Sequence, residues 1–149
     1  MFNEQPIVFR SSIKSKIDNI IDTVRSHLLS QNKKSFGEKE EKCLYRGPNG
    51  LKCALGVLIP DDKYHVSMES PSEQGWHSIM YIIASRFGIL VVSEGYTAFD
   101  RLMSKMQTIH DRHNVEEWAD QLNELQASIV FVSKEPQTPT KSEDKYDRY

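Results

Sequence analysis

Apolar residues recur at spacings of three and four in several stretches of the chain, and each such stretch predicts a helix with one buried face. The first predicted helix begins near Ser11. The second begins at the sequence SPSE of residues 70–73, which matches a capping box with proline at the first helical position. The apolar face of the first helix consists of Ile13, Ile17, Ile20, Ile21, Val24, Leu28 and Leu29.

The same spacing predicts two more helices in the second half of the chain. The third starts at Tyr96 and ends at His110 or Arg112. The fourth starts after an Asn114 cap, with Glu117 at the reciprocal position, and continues through about residue 125 or 129. Between the second and third helices, the apolar run of residues 89–92 is either a buried strand or a packed connection.

Residues 43–64, CLYRGPNGLKCALGVLIPDDKY, form the most informative stretch. Two short runs, residues 43–46 and 51–54, flank the sequence GPNG. Proline there presets a negative φ and the second glycine accepts a left-handed conformation, so the pattern predicts a β-hairpin. The apolar run of residues 54–59 that follows is a buried helical turn or a strand, and it ends at Pro60.

These elements predict an α+β fold: a mainly helical single domain in which three or four helices pack around one β-hairpin. The domain is predicted to cover residues 1–132, with residues 1–10 as an extended arm and residues 35–42 as a loop. Residues 133–149 are polar, contain two prolines and are predicted to be a flexible tail.

The charge balance limits the classes of partner. A net charge of −2 and a pI near 6.2 argue against a general electrostatic binder of nucleic acid. A local basic surface on and after the first helix nevertheless leaves a nucleic-acid-binding accessory as an alternative, with a solvated helix face as the plainer interpretation. Its candidate contact residues are Lys14, Lys16, Arg25, Lys33 and Lys34.

The chain contains two cysteines, shows no signal peptide and has no apolar run of about 18 residues, so we expect a cytoplasmic protein without a membrane partner. Free, packed thiols are the expectation, with a redox pair or metal ligation as alternatives. The metal candidates are Cys43, Cys53, His110 and His113. Nine residues separate the cysteines, whereas zinc motifs use two to four, so neither a metal nor another cofactor is predicted.

Enzyme motifs are missing from the sequence. It contains no phosphate-binding glycine loop and no nucleophile elbow. The cluster of residues 110–113, HDRH, could hold a metal or a general base, but histidine and arginine in a last helical turn also interact favourably with the helix dipole. An enzyme is therefore disfavoured, and a metal- or thiol-dependent enzyme is a further alternative.

The pattern Cys, Tyr-Arg, Gly, Lys-Cys-Ala, Gly, Leu-Ile, Asp, Tyr within residues 43–64 resembles a family of small uncharacterised proteins of phages and bacterial mobile elements. The resemblance covers residues 28–125, including His110-Asp111 before a helix that contains tryptophan. It implies a phage context and no particular chemistry, so no catalytic residue is carried over.

These considerations predict a small interaction protein that binds a host macromolecule, with a protein as the expected class of partner, and inhibits or redirects it. Exposed tyrosine and arginine often dominate interfaces, and the GPNG turn would present them on a fixed backbone. The predicted partner-binding residues are Tyr45, Arg46, Asn49 and Lys52. If Arg46 is exposed, the substitution Arg46→Glu should weaken binding and leave stability unchanged. The pattern does not indicate an oligomeric state.

Overall fold

A computed structural model of the chain describes residues 5–70, 72–91 and 96–133. Within these residues the helices are α1 (Lys14–Gln31), α2 (Ala54–Leu58), α3 (Glu73–Arg86), α4 (Tyr96–Arg112) and α5 (Trp118–Ser128). The strands are β1 (Val8–Arg10), β2 (Phe36–Gly37), β3 (Lys42–Cys43) and β4 (Val130–Val132). The predicted class, a mainly helical α+β domain, is confirmed.

The helix α1 lies at the centre of the core. It packs against α2 and α5, and α4 in turn packs against both of those helices. The apolar face predicted for α1 is buried except for its last member, Leu29, which is 41% exposed. The helix ends at Asn32, which adopts the left-handed conformation with a φ of 52°.

Two predicted helix starts have different outcomes. The helix α3 starts at Glu73, with Ser72 as its cap, because the Ser72 hydroxyl accepts a hydrogen bond of 2.9 Å from the Gly75 N–H. The predicted cap at Ser70 is therefore wrong. Before α5, the Glu117 carboxylate accepts a 3.0 Å hydrogen bond from the Asn114 N–H, as the capping pattern predicted.

The terminal strands β1 and β4 pair in parallel, with Phe9 opposite Phe131. Their rings stack with centroids 6.4 Å apart, and Phe9 is buried. The extended arm predicted over residues 1–10 is confirmed for Val8–Arg10, residues 1–4 lie outside the described part of the chain, and the pairing of the arm with β4 was not predicted. This pairing brings the two ends of the described chain together beside α1 and α5.

The hairpin was predicted with residues 43–46 and 51–54 as its paired strands, and this pairing is wrong. Among the described residues, the antiparallel ladder is formed by β2 and β3, in the segment that was predicted to be a loop. Around the Pro48–Gly50 turn only one bridge remains, between Arg46 and Lys52. The second run does not continue as a strand because it enters α2 at Ala54, and distant side chains bind the backbone on both sides of the turn.

Some predicted segments lie wholly or partly outside the described residues. The predicted tail at 133–149 does so apart from Ser133, and Val92 does so at the end of the apolar run. Residues 89–91 form no strand; Ile89 and Val91 are buried. None of the helices in the described part of the chain has the length and apolar character needed to cross a membrane.

Candidate functional site

Residues 43–64, which we call the clasp, have a largely irregular backbone outside α2, and several of its polar groups are bound by side chains from elsewhere in the chain. The Glu69 carboxylate accepts hydrogen bonds from the Tyr45 N–H at 3.0 Å and the Arg46 N–H at 3.1 Å. It also accepts the Tyr64 hydroxyl at 2.7 Å. One carboxylate thus joins the beginning and the end of the clasp and satisfies two N–H groups that a β-ladder would otherwise bind.

Arg46 is part of this network and points inward. Its guanidinium donates to the Ile59 carbonyl at 2.9 Å, lies 3.0 Å from the Asp61 carboxylate and stacks over the Tyr64 ring at 5.1 Å. The side chain is 17% exposed, and its Nη1 atom is buried without a hydrogen-bond partner among the described residues. The exposed position expected for Arg46 is therefore not what the structure shows.

The segment of the clasp that follows the turn is held by α1. The Gln31 carboxamide donates to the Lys52 carbonyl at 2.9 Å and accepts from the Lys52 N–H at 3.0 Å. This side chain therefore occupies the place that a neighbouring strand would take in a sheet. The Lys52 ammonium lies 3.5 Å from the Asp61 carboxylate, which is 86% exposed, so the side chain of this predicted partner-binding residue forms an ion pair at the surface of the clasp.

Two glycines allow the clasp to close. A β-carbon on Gly56 would collide with the backbone carbonyl of Tyr45, and one on Gly47 would collide with the Ser35 hydroxyl. Ser35 is buried and bonds both backbone groups of Leu44. The close approach of these segments requires residues without side chains at both positions.

A second polar cluster includes the first residue of the clasp: the Cys43 thiol, the His110 imidazole and the Asp111 carboxylate come within 4.8 Å of one another. The His110 Nε2 atom accepts a 3.0 Å hydrogen bond from the Ser35 N–H, so the ring proton is on Nδ1 and donates to Asp111 at 2.7 Å. Gln107 donates to the same carboxylate at 3.1 Å. The Trp118 ring stacks on the imidazole with centroids 5.4 Å apart.

The thiols are poorly suited to nucleophilic chemistry. Burial raises the pKa of Cys43 to about 12, and the negative charge of Asp111 contributes to the same increase. Burial likewise raises the pKa of Cys53 to about 12. A nucleophilic cysteine needs a lowered pKa, which supplies thiolate at neutral pH, so the arrangement favours protonated, packed thiols.

The cluster also fits a hydrogen-bonded core better than a metal site. A metal ion on His110 Nδ1 would displace the proton that Asp111 accepts and would leave an Nε2–H facing the Ser35 N–H. Among the described residues, neither Cys53 nor His113 belongs to a cluster with ligand spacing. His113 instead lies 3.3 Å from Glu117. Among the described residues, the structure therefore brings two of the four predicted metal candidates, Cys43 and His110, together with Asp111, and leaves Cys53 and His113 outside this cluster.

The basic residues of the first helix are mostly engaged within the fold. Lys14 pairs with Asp18 at 2.7 Å and lowers the pKa of that carboxyl. Arg25 pairs with Asp22 at 2.6 Å and also bonds side chains of α5. The remaining contacts are Lys16 to the Gly88 carbonyl at 2.8 Å and Lys34 to the Asp111 carbonyl at 3.2 Å.

An open cavity of about 620 Å³, which we call the groove, lies between the β2–β3 hairpin and the Pro48–Gly50 turn. Residues 33, 34, 36–40, 44, 46–49 and 51 line it. Phe36 is 43% exposed there, a large fraction for a phenylalanine. Of the four predicted partner-binding residues, Arg46 and Asn49 line the groove, and of the five basic candidates, Lys33 and Lys34 do.

Several residues of the site carry no signal that the sequence analysis used. Gln31, Glu69 and Gln107 are single polar residues whose importance comes from contacts with the clasp across long sequence separations. Phe36 did have a usable signal, because it is the one aromatic residue in the polar segment of residues 35–42. A lone aromatic in a charged loop is a recognisable candidate for an exposed contact residue.

Comparison of the chain with protein-family models, with curated proteins and with solved structures gave no match. The resemblance of residues 43–64 to small phage and mobile-element proteins therefore stays a prediction. The structure does give a physical reason for the residues of that pattern, since Tyr45, Arg46, Gly56 and Tyr64 all serve to close the clasp.

Proposed function

We propose that the chain is a small binding protein that contacts a partner macromolecule through the groove. The observation that carries the proposal is the exposed Phe36 ring, held beside a turn whose backbone is fixed by the clasp. Large aromatic side chains are frequent anchors of interfaces, and a preorganised surface loses little conformational entropy on binding.

The resemblance to phage and mobile-element proteins supports a more specific form of this proposal. In that form the partner is a protein of the bacterial host, and binding inhibits or redirects it in the host cytoplasm. Arg46 then acts indirectly, since its side chain holds the clasp, and Lys52 pairs with the exposed Asp61, whereas Asn49 is exposed on the groove.

An enzyme is the weaker interpretation of the same geometry. The cluster that resembles catalytic machinery has its imidazole nitrogens bound by Ser35 and Asp111, and its thiol is held in the protonated form. To act in catalysis, the imidazole would have to give up its hydrogen bonds to Ser35 and Asp111, and the thiol would have to lose its proton.

Binding of nucleic acid is favoured by one specific observation, the presence of Lys33, Lys34 and the exposed Phe36 in one groove. Lysines that follow a phosphate backbone beside an aromatic platform are typical of single-strand binders. Affinity that falls steeply with salt, through counterion release, would support this second candidate.

The proposal can be tested by capture of partners from bacterial lysate with the immobilised chain and two variants. Phe36→Ala removes the exposed ring of the groove, and Tyr81→Ala removes a ring of similar exposure, 48%, from α3. We expect the wild-type chain and the Tyr81 variant to retain the same protein, and the Phe36 variant to lose it. Equal retention by both variants, with their melting temperatures unchanged, would contradict the proposal.

A further inference from the structure

We infer that the groove binds an extended acidic segment of a partner protein that carries one large apolar side chain. The inference rests on the proposed function and adds the chemical class of the partner. It follows from the apolar floor of the groove, from the charges on its rim and from the fixed backbone behind it.

The apolar part of the groove suits one large side chain. The exposed Phe36 ring lines the groove together with Leu44, which is 8% exposed, the half-buried Leu51 and the exposed Pro48. A single large side chain placed against these groups would remove the Phe36 ring from water, and burial of this kind supplies the main driving force in a small interface.

The charges on the rim indicate which residues flank that side chain. Lys33 and Lys39 are exposed, and within the described chain their ammonium groups have no hydrogen-bond or ion-pair partner. Lys34 contributes a third cation, which donates to a backbone carbonyl rather than to a carboxylate. Carboxylates on the partner could pair with these lysines without displacing an existing ion pair.

The carboxylates of the groove favour a peptide over a nucleic acid. Glu38 and Glu40 line the groove next to Lys39, and they too are exposed without an ion-pair partner in the described part of the chain. A nucleic acid has a negative charge at every nucleotide, so some phosphates would face these carboxylates. A peptide can instead place acidic residues only opposite the lysines.

The backbone beside the groove is already in one conformation. The Gly47 N–H donates to the Leu51 carbonyl at 2.8 Å, and the Leu51 N–H donates to the Pro48 carbonyl at 3.1 Å. Behind this turn, Arg46 is fixed by Ile59 and Asp61. A linear segment of the partner can therefore bind this surface with little loss of conformational entropy on the side of the groove.

Three synthetic probes test the inference directly. The first is a peptide of about 12 residues with glutamates on both sides of a single tryptophan, a length that spans a groove of this kind in extended form. The second has lysine in place of every glutamate, and the third is an oligothymidylate of similar length. Fluorescence anisotropy at about 50 mM and about 200 mM salt gives the affinities and their salt dependence.

We expect the acidic peptide to bind at least about tenfold more tightly than the basic peptide and the oligothymidylate. Lys33→Glu and Phe36→Ala should each weaken the acidic peptide by about tenfold, which is the usual effect of losing an interface anchor. The matched controls Lys63→Glu and Tyr81→Ala change the same residue types outside the groove and should leave the affinity within about twofold.

The inference is overturned if the acidic peptide binds no better than the basic one, or if the oligothymidylate binds most tightly and depends on Lys33. Capture of a lysate protein that still depends on Phe36 would show in that case that the proposed function survives and only the partner class is wrong. Loss of Phe36 dependence in both assays would overturn the proposed function as well.

Discussion

The helices of the core and the clasp are stabilised by different kinds of side chain: apolar residues pack in the helices, and polar residues bind the backbone of the clasp. In α1 the buried residues are apolar and follow the helical period, as with Ile17, Ile21 and Val24. In the clasp the backbone itself is covered, and its N–H and C=O groups are bound by side chains such as Gln31 and Glu69. The helices satisfy their own backbone, whereas the clasp depends on residues far away in the sequence.

This difference predicts different tolerance to substitution. A helical core accepts exchanges between apolar residues of similar volume at a cost usually below about 1.5 kcal/mol. Each hydrogen bond of the clasp has defined partners and a defined distance, so removal of one group leaves another polar group buried without a partner. The clasp should therefore be the part of the molecule in which single conservative changes cost most.

The largest effect is expected from Gly56→Ala. The added methyl group would collide with the backbone carbonyl of Tyr45, which has no side-chain freedom with which to move away. We expect the free energy of unfolding to fall by about 3 kcal/mol or more. The control is Gly75→Ala, where the nearest atom is the Ser72 hydroxyl, a side-chain atom that needs to shift by only a few tenths of an ångström and can still cap the helix, and alanine favours the helix. Urea unfolding of both variants measures the difference, and equal losses would show that the clasp is no less tolerant than a helix.

A somewhat smaller loss is expected from Arg46→Glu. The substitution removes the hydrogen bond to Ile59 and places a carboxylate beside Asp61. We expect a loss of about 2 to 3 kcal/mol in the free energy of unfolding, in place of the unchanged stability that an exposed arginine would give. Lys63→Glu, a charge reversal on an exposed residue of the neighbouring turn, should cost less than about 0.5 kcal/mol. Similar melting temperatures for the two variants would mean that Arg46 is not held as described.

The same contrast explains how much of the fold could be predicted. The helices α1, α3, α4 and α5 were predictable because their signal lies within a few residues, in the spacing of apolar side chains and in caps such as Asn114 with Glu117. The start of α3 was misplaced because Ser70 and Ser72 both have the chemistry of a cap, and only the conformation decides between them.

The predicted hairpin failed for the opposite reason. The turn residues 47–50 do form a turn, but whether the flanking runs pair with each other depends on competing partners at Gln31 and Glu69. Neither residue stands in a local pattern. For the candidate site, the sequence singled out Asn49, which is exposed on the groove and whose role in binding stays a prediction. The sequence could not show that Arg46 points inward, since this depends on Ile59 and Asp61.

A further difference between clasp and helices should appear at alkaline pH. The pKa of Cys43 and that of Cys53 are both raised to about 12 by burial, whereas an unfolded thiol ionises near pH 9. The folded state therefore binds more protons between these values, so its stability is complete below about pH 9 and declines as the pH rises towards 12. Cys53→Ala removes one of the thiols, and its unfolding free energy should decline less steeply between pH 8 and about 10.5. Identical slopes for the wild-type chain and the variant would contradict the buried, protonated state of Cys53.

The smallest effect on stability is expected from Asn49→Gly, which tests the role of the clasp surface in binding without changing the interior of the clasp. Asn49 is exposed on the groove and has a φ of 57°, a conformation that glycine adopts without strain, so the free energy of unfolding should change by less than about 0.5 kcal/mol. Asn49→Ala, by contrast, should cost about 1 kcal/mol, because a β-carbon is unfavourable at that φ.

The glycine variant therefore removes the carboxamide without disturbing the turn. If this group bonds the partner in the groove, as the sequence analysis predicted, affinity for the captured partner should fall about fivefold, the equivalent of one hydrogen bond. Asn32→Gly is the matched control, since Asn32 is also exposed, has a φ of 52° and lies outside the lining of the groove. Equal affinities for the two glycine variants would remove Asn49 from the binding surface and leave Phe36 and the lysines as its only supported members.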